Sequence, residues 1–209
     1  METKKALIVV DLQRDFCPGG SLAVPDGDAV VPIVNGLLPE FELVIFTKDW
    51  HGPEMDAFAS QHEEAKPFDR YTNGQDREDV LWPDHCVANT PGADFHPDLD
   101  FGGCAKDFYI FKKGMEKDFH PYSGFDDTDL EDFLDERGVT DVYVTGLALD
   151  FCVKDTALDA EAFGFKTAVI EDACRPIDPD VNETLRAFKE AGIAVIESWE
   201  LQEYTKNDC

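Results

Sequence analysis

Cys152 closes the run Gly146-Leu-Ala-Leu-Asp-Phe-Cys, which reads as a strand turning into a helix with the thiol in the first helical turn. Free N–H groups and the partial positive charge at a helix start favour a thiolate and can also hold an oxyanion, so Cys152 is a candidate nucleophile. A lone cysteine is more often a small buried apolar residue, and the case therefore rests on what accompanies it. Asp11 directly follows the run Ala6–Val10 and can act as a base, while Lys113 directly follows Phe108–Lys112 and can favour the anion. The other five cysteines, at 17, 86, 104, 174 and 209, lack this setting and read as inert.

A second group has the character of metal ligands. Asp49-Trp50-His51 puts two ligand-type side chains at i and i+2, on one side of an extended segment. His85, in Leu81-Trp-Pro-Asp-His-Cys, offers a third. One carboxylate and two imidazoles, with positions left for water, suit a divalent ion: zinc first, then manganese or iron(II). The D-x-H pattern is weak alone, because such side chains often only bond each other or the backbone. His62, His96 and His120 read as surface or loop residues, and the acidic stretch Asp126–Glu136 as a solvated helix face. Neither G-x-x-x-x-G-K-[ST] nor G-x-G-x-x-G occurs, so these routes to nucleotide binding are unsupported.

These residues converge only if particular elements hold them. Ala6–Val10, Leu43–Thr47, Phe108–Lys112, Val142–Thr145, Thr167–Ile170 and Ile193–Ile196 are short apolar runs of the kind found in strands covered on both faces. Asp28–Leu38, Thr128–Arg137, Phe151–Phe163 and Pro179–Ala191 read as the helices between them. This alternation predicts an α/β fold: an open, mostly parallel six-stranded sheet with helices on both faces. Ligands of such sheets bind beyond the carboxyl ends of the strands, and Asp11, Asp49, His51, Lys113 and Cys152 all fall there. Residues 50–105 carry prolines, glycines and the aromatics Trp50, Phe58, Trp82 and Phe95 without a convincing strand, and are expected to form a loop-rich cap.

The 209 residues suggest one domain, 1–209, without repeats or linkers. A formal charge of −27, from 45 acidic and 18 basic residues, argues against nucleic-acid or membrane-surface partners. The charge is spread evenly, with 7 basic and 20 acidic groups in residues 1–105 and 11 and 25 in residues 106–209. Scattered thiols without a C-x-x-C pair read as reduced, and the apolar run after the two N-terminal lysines is too short for a signal h-region or a membrane span. A cytoplasmic protein is expected.

The chain resembles the isochorismatase-like cysteine hydrolases, in their nicotinamidase (pyrazinamidase) branch. The resemblance is carried by Val10-Asp-Leu-Gln-Arg-Asp-Phe-Cys-Pro-Gly-Gly-Ser-Leu-Ala-Val24, Thr47-Lys-Asp-Trp-His51, Phe58-Ala-Ser-Gln-His62, Leu81-Trp-Pro-Asp-His-Cys-Val87, Lys112-Lys-Gly114, Pro121-Tyr-Ser-Gly-Phe125 and Val144-Thr-Gly-Leu-Ala-Leu-Asp-Phe-Cys-Val153, in family order over residues 6–199. It implies a triad of Asp11, Lys113 and Cys152 and metal ligands Asp49, His51 and His85. It further implies a cis peptide at Ala148–Leu149 beside an oxyanion site, and a substrate pocket of Phe16, Leu22, Trp82 and Tyr122. The implied activity is hydrolysis of nicotinamide, and of pyrazinamide, through a cysteine thioester in NAD salvage, with room for a homo-oligomer. Amidases of the family acting on carbamoyl or maleamate-type substrates generally lack the metal site, and an isochorismatase proper lacks the cysteine. An inactive binding homologue would not need the triad. Many relatives place another ligating histidine four residues after the D-x-H histidine, where this chain has Met55; three protein ligands plus water are then expected.

The dispersed charge makes its own prediction. If self-repulsion of the acidic surface opposes folding, raising KCl from millimolar to molar will raise the melting temperature. A melting temperature flat across that series would show that the acidic surface puts no load on the fold.

Overall fold

The computed structural model describes residues 4–74 and 76–205. Eight strands run in chain order: β1 (Lys5–Val10), β2 (Leu43–Asp49), β3 (Arg70–Thr72), β4 (Glu78–Val80), β5 (Asp107–Lys113), β6 (Asp141–Leu147), β7 (Lys166–Arg175) and β8 (Ala194–Ile196). Six of them form one parallel sheet in the order β5-β2-β1-β6-β7-β8, which is the α/β architecture expected from the alternating runs. The helices are α1 (Val31–Leu37), α2 (Leu130–Glu136), α3 (Lys154–Ala162), α4 (Asn182–Ala191) and α5 (Leu201–Tyr204).

The two central strands are buried on both faces, so apolar residues run through them instead of alternating, with Lys5 at the start of β1 and Asp141 and Thr145 in β6 as the polar exceptions. Leu7 and Val9 point into one core with α1 and the cap, and Ile8 and Val10 into the other with α2, α3 and α4. β5 departs from the expectation of full coverage. As an edge strand it is only partly covered, leaving Phe108 and Ile110 exposed. β7 runs five residues beyond the expected Ile170, because Cys174 and Arg175 pair with Gly146 and Leu147 past a register shift. The cap also holds one element not anticipated, the antiparallel ribbon β3–β4. Among the described residues no helix is long and apolar enough to cross a membrane.

Where β1 and β6 end side by side, Val10 pairs with Gly146. A Cβ at Gly146 would lie 2.1 Å from the Val10 carbonyl oxygen, and the residue's φ of +115° is a conformation that L side chains rarely adopt. The glycine thus allows the two strand ends to close beside Asp11 and ahead of Cys152. Gly146→Ala is expected to destabilise the fold by roughly 3 kcal/mol, the upper end for a strained backbone position. A denaturant midpoint equal to wild type would show that the strands can separate without cost.

Candidate active site

Lys113, the last residue of β5, is fully buried, and its ammonium is the meeting point of the site. Its Nζ lies 3.0 Å from Asp11 Oδ2, 2.6 Å from Asp49 Oδ1 and 3.6 Å from Cys152 Sγ, and donates to the Pro121 carbonyl at 3.1 Å. Burial alone would strip its proton, but the two carboxylates outweigh that and hold it well above the ordinary lysine value.

Asp11 follows β1 in a left-handed conformation with φ of 44°. Its backbone N–H donates to Thr47 Oγ1 on β2, and the same hydroxyl donates to Asp11 Oδ1 at 2.7 Å. Burial pushes its carboxyl up to about 6 against the pull of Lys113. Asp49 ends β2. Burial would raise it too, yet Lys113 and His51 prevail and hold it well below the usual carboxylate range. Two adjacent buried carboxylates thus hold a proton with very different strength, the arrangement that separates an acid–base group from a permanently ionised one.

Cys152 completes the group. The expected helix start at Phe151 is instead a wide five-residue turn, Leu149–Val153, and α3 begins only at Lys154. The thiol lies ahead of the helix, and burial pushes it well above its ordinary value, opposed by Lys113 and reinforced by Asp11 and Asp49. The resting group is therefore a thiol whose proton has Asp11 within reach; their acceptor atoms, with one of Asp49, lie within 4.8 Å of one another. The cis peptide is Leu147–Ala148, one bond earlier than the resemblance implied. Leu147 still pairs with Arg175 as the last residue of β6, and Leu149 already opens the turn, so the change of direction falls at the strand's end.

Asp49 has a second face. His51 Nδ1 donates to the Gly114 carbonyl at 2.9 Å and His85 Nδ1 to the Pro83 carbonyl at 2.8 Å. Each ring thereby presents its Nε2 to Asp49 Oδ2, at 3.4 and 3.8 Å. A backbone carbonyl on Nδ1 is the support that fixes a ligating imidazole's tautomer. Burial lowers His85 to about 4, which keeps it neutral. Asp49 Oδ2 and His51 Nε2 are buried without a hydrogen-bond partner, which costs free energy unless something binds them. These residues fit a divalent ion.

His120 belongs to this group and was misplaced by sequence. It is buried, stacks on His51 with ring centroids 4.9 Å apart, and joins Asp49, His51 and His85 with ligand atoms within 4.8 Å. It lies in the connection between β5 and α2, with no pattern around it to mark a ligand. Met55 packs fully buried in the apolar core. His62 Nε2 donates to the Asp56 carbonyl at 2.7 Å, and His96 lies off the site.

One cavity opens onto both groups. Phe16, Leu22, Trp82 and Tyr122 line it, together with Asp49, His85, His120, Ala148 and Cys152. Phe151 and Ile177 also line it and were not anticipated. Trp82 Nε1 donates to Tyr122 Oη at 3.0 Å, and that hydroxyl donates to Asp79 of β4 at 2.8 Å. Gln13 was missed as well: its amide donates to the carbonyls of Asp49 and Ala93, and its oxygen accepts from Asp49 N. That clamp joins the ends of β1 and β2 to the cap.

Residues 5–200 match the isochorismatase domain family. The chain belongs to that family. Among its relatives the nicotinamidase of Escherichia coli K12 is 41% identical over 202 residues, spanning 91% of this chain and 92% of the bacterial protein. The structure of the Acinetobacter baumanii nicotinamidase/pyrazinamidase superposes with a TM-score of 0.90 at 40% identity, covering 96% and 99% of the two chains. That of the Pyrococcus horikoshii pyrazinamidase in complex with zinc gives 0.78 at 39%, covering 93% and 99%.

The pairing of Lys113 with two buried carboxylates carries a stability cost if broken. Lys113→Met keeps the volume but leaves Asp11 and Asp49 facing each other, and about 3–5 kcal/mol of stability is expected to be lost. An unchanged unfolding midpoint for that variant would mean the carboxylates are held apart without the ammonium.

Proposed function

We propose that this isochorismatase-family protein is a nicotinamide amidohydrolase that releases nicotinate and ammonia and also accepts pyrazinamide. The observation that carries the reading is the shared cavity: a thiol with its base and ammonium faces a metal-competent cluster across an aromatic slot. Flat rings above and beside the slot suit a pyridine or pyrazine ring. The 41% identity to the E. coli nicotinamidase supports the same substrate.

In this reading Asp11 accepts the Cys152 proton and Sγ attacks the carboxamide carbon, giving a tetrahedral oxyanion. The backbone of the Ala148–Leu149 turn is the oxyanion site; Ala148 lines the cavity next to the thiol. Asp11 then returns the proton to nitrogen, ammonia leaves, and water hydrolyses the thioester to nicotinate and free thiol. Lys113 balances the charge on Asp11 and on the sulfur throughout. Asp49, His51 and His85 would hold a divalent ion, zinc being the best match to their nitrogen and oxygen donors. When bound, it supplies a Lewis-acidic position that can take the ring nitrogen or hold waters around it. Cys17, Cys86, Cys104, Cys152 and Cys174 are free thiols, in keeping with a cytoplasmic enzyme feeding NAD salvage; Cys209 lies outside the described residues.

Purified protein is expected to release ammonia from nicotinamide and pyrazinamide in a coupled assay. Cys152→Ala should lose about 10⁴-fold or more in turnover, as for other nucleophile deletions. Retention of more than about a tenth of wild-type turnover would remove Cys152 from the chemistry, and a wild-type protein inert on both amides would overturn the substrate assignment.

A further inference from the structure

We infer that His120 is a protein ligand of the metal centre, so that the ion is held by Asp49, His51, His85 and His120. The inference rests on the metal-centre reading above and not on the identity of the substrate. Both ring nitrogens of His120 are buried and lack a hydrogen-bond partner, the costliest state for an imidazole unless a ligand answers it. One of them falls within 4.8 Å of the ligand atoms of Asp49, His51 and His85, close enough for one small cation to reach all four. Asp49 Oδ2 and His51 Nε2 are orphaned in the same spot, so a single ion would answer three side chains at once.

The backbone holds His120 in this place from several directions. The segment that delivers it is pinned at its start by the Gly114 carbonyl, which accepts from His51 Nδ1. It is pinned midway by the Lys117 carbonyl, which accepts from Asp56 N, and at its end by the Pro121 carbonyl, which accepts from Lys113 Nζ. The ring itself lies within 30° of parallel to both His51, 4.9 Å away between centroids at 28°, and Trp82, 6.5 Å away at 24°. Met55 next to this segment is buried among apolar side chains and contributes no competing donor. The ion's protein ligands therefore come from β2, the cap and the β5–α2 connection together.

The test reads metal binding directly. Zinc-loaded wild-type protein, His120→Ala and His120→Cys are challenged with a chromophoric zinc chelator, and each is also loaded with cobalt(II) for visible spectroscopy. His120→Ala should lose at least about 100-fold in zinc affinity, beyond the 10–100-fold that an outer partner of a ligand costs. Its cobalt spectrum should shift from that of wild type. His120→Cys should keep tight binding and add a thiolate-to-cobalt charge-transfer band, which a position away from the ion cannot produce. This variant also decides the matter if the alanine protein fails to fold. Wild-type zinc affinity in His120→Ala, or no charge-transfer band in a folded His120→Cys, overturns the assignment; a raised KM for nicotinamide at unchanged zinc affinity would instead make His120 a substrate contact. A wild-type protein that binds neither ion would overturn the metal centre as a whole, with His120 in it.

Discussion

A fully buried ammonium set between two buried carboxylates governs the architecture of the site. Such a group is tolerable in a protein interior only when every charge is met at hydrogen-bond distance. Lys113 can meet Asp11 and Asp49 together because β5, β2 and β1 are neighbours: Lys113 pairs with Asp49, and Asp11 follows β1, whose Val9 pairs with Phe46, so all three lie at the carboxyl edge of the sheet. The register of the parallel sheet, set by apolar residues far from the chemistry, is what brings the three charges into one place. Gly146 then lets β6 close against β1, and the turn beyond it carries the thiol to the same point.

Asp49 links this arrangement to its neighbour. One carboxylate oxygen takes the ammonium and the other faces the imidazoles of His51 and His85. Gln13 fixes the backbone of Asp49 on both its N–H and carbonyl sides, so the side chain has little freedom to favour one partner over the other. The Asp11–Lys113–Cys152 group and the imidazole cluster are in this sense a single electrostatic unit with two faces, and both Cys152 and the His85 imidazole line the cavity.

Much of this was readable in the residues. Apolar runs mark the sheet, and the rule that ligands gather at the carboxyl ends of parallel strands picks out Asp11, Asp49, Lys113 and Cys152 from sequence alone. These residues are legible because each is tied to a strand end by one or a few peptide bonds. His120, Asp79 and Gln13 were not legible for the opposite reason. His120 sits in a connection and Asp79 in a short cap ribbon, both placed by tertiary contacts, and Gln13 acts through backbone groups of other segments. The alternation of β5 was missed because edge position, which decides its exposure, is a property of sheet order and not of the strand's own composition. The cis bond was misplaced by one residue because strand ends are decided by pairing, here of Leu147 with Arg175.

The bond chain from Trp82 through Tyr122 to Asp79 has a consequence for how the slot opens. Asp79 belongs to a ribbon of three residues per strand, partly exposed and paired only to itself, and two-stranded ribbons of this size have little stability of their own. Trp82 itself is anchored apart from the ribbon: it is buried, its N–H donates to the Ala57 carbonyl at 2.7 Å and its carbonyl accepts from Ala59 N at 2.8 Å. Opening of the ribbon would therefore cost the Tyr122 hydroxyl its acceptor on Asp79 and leave Trp82 and the charged groups at the strand ends in place.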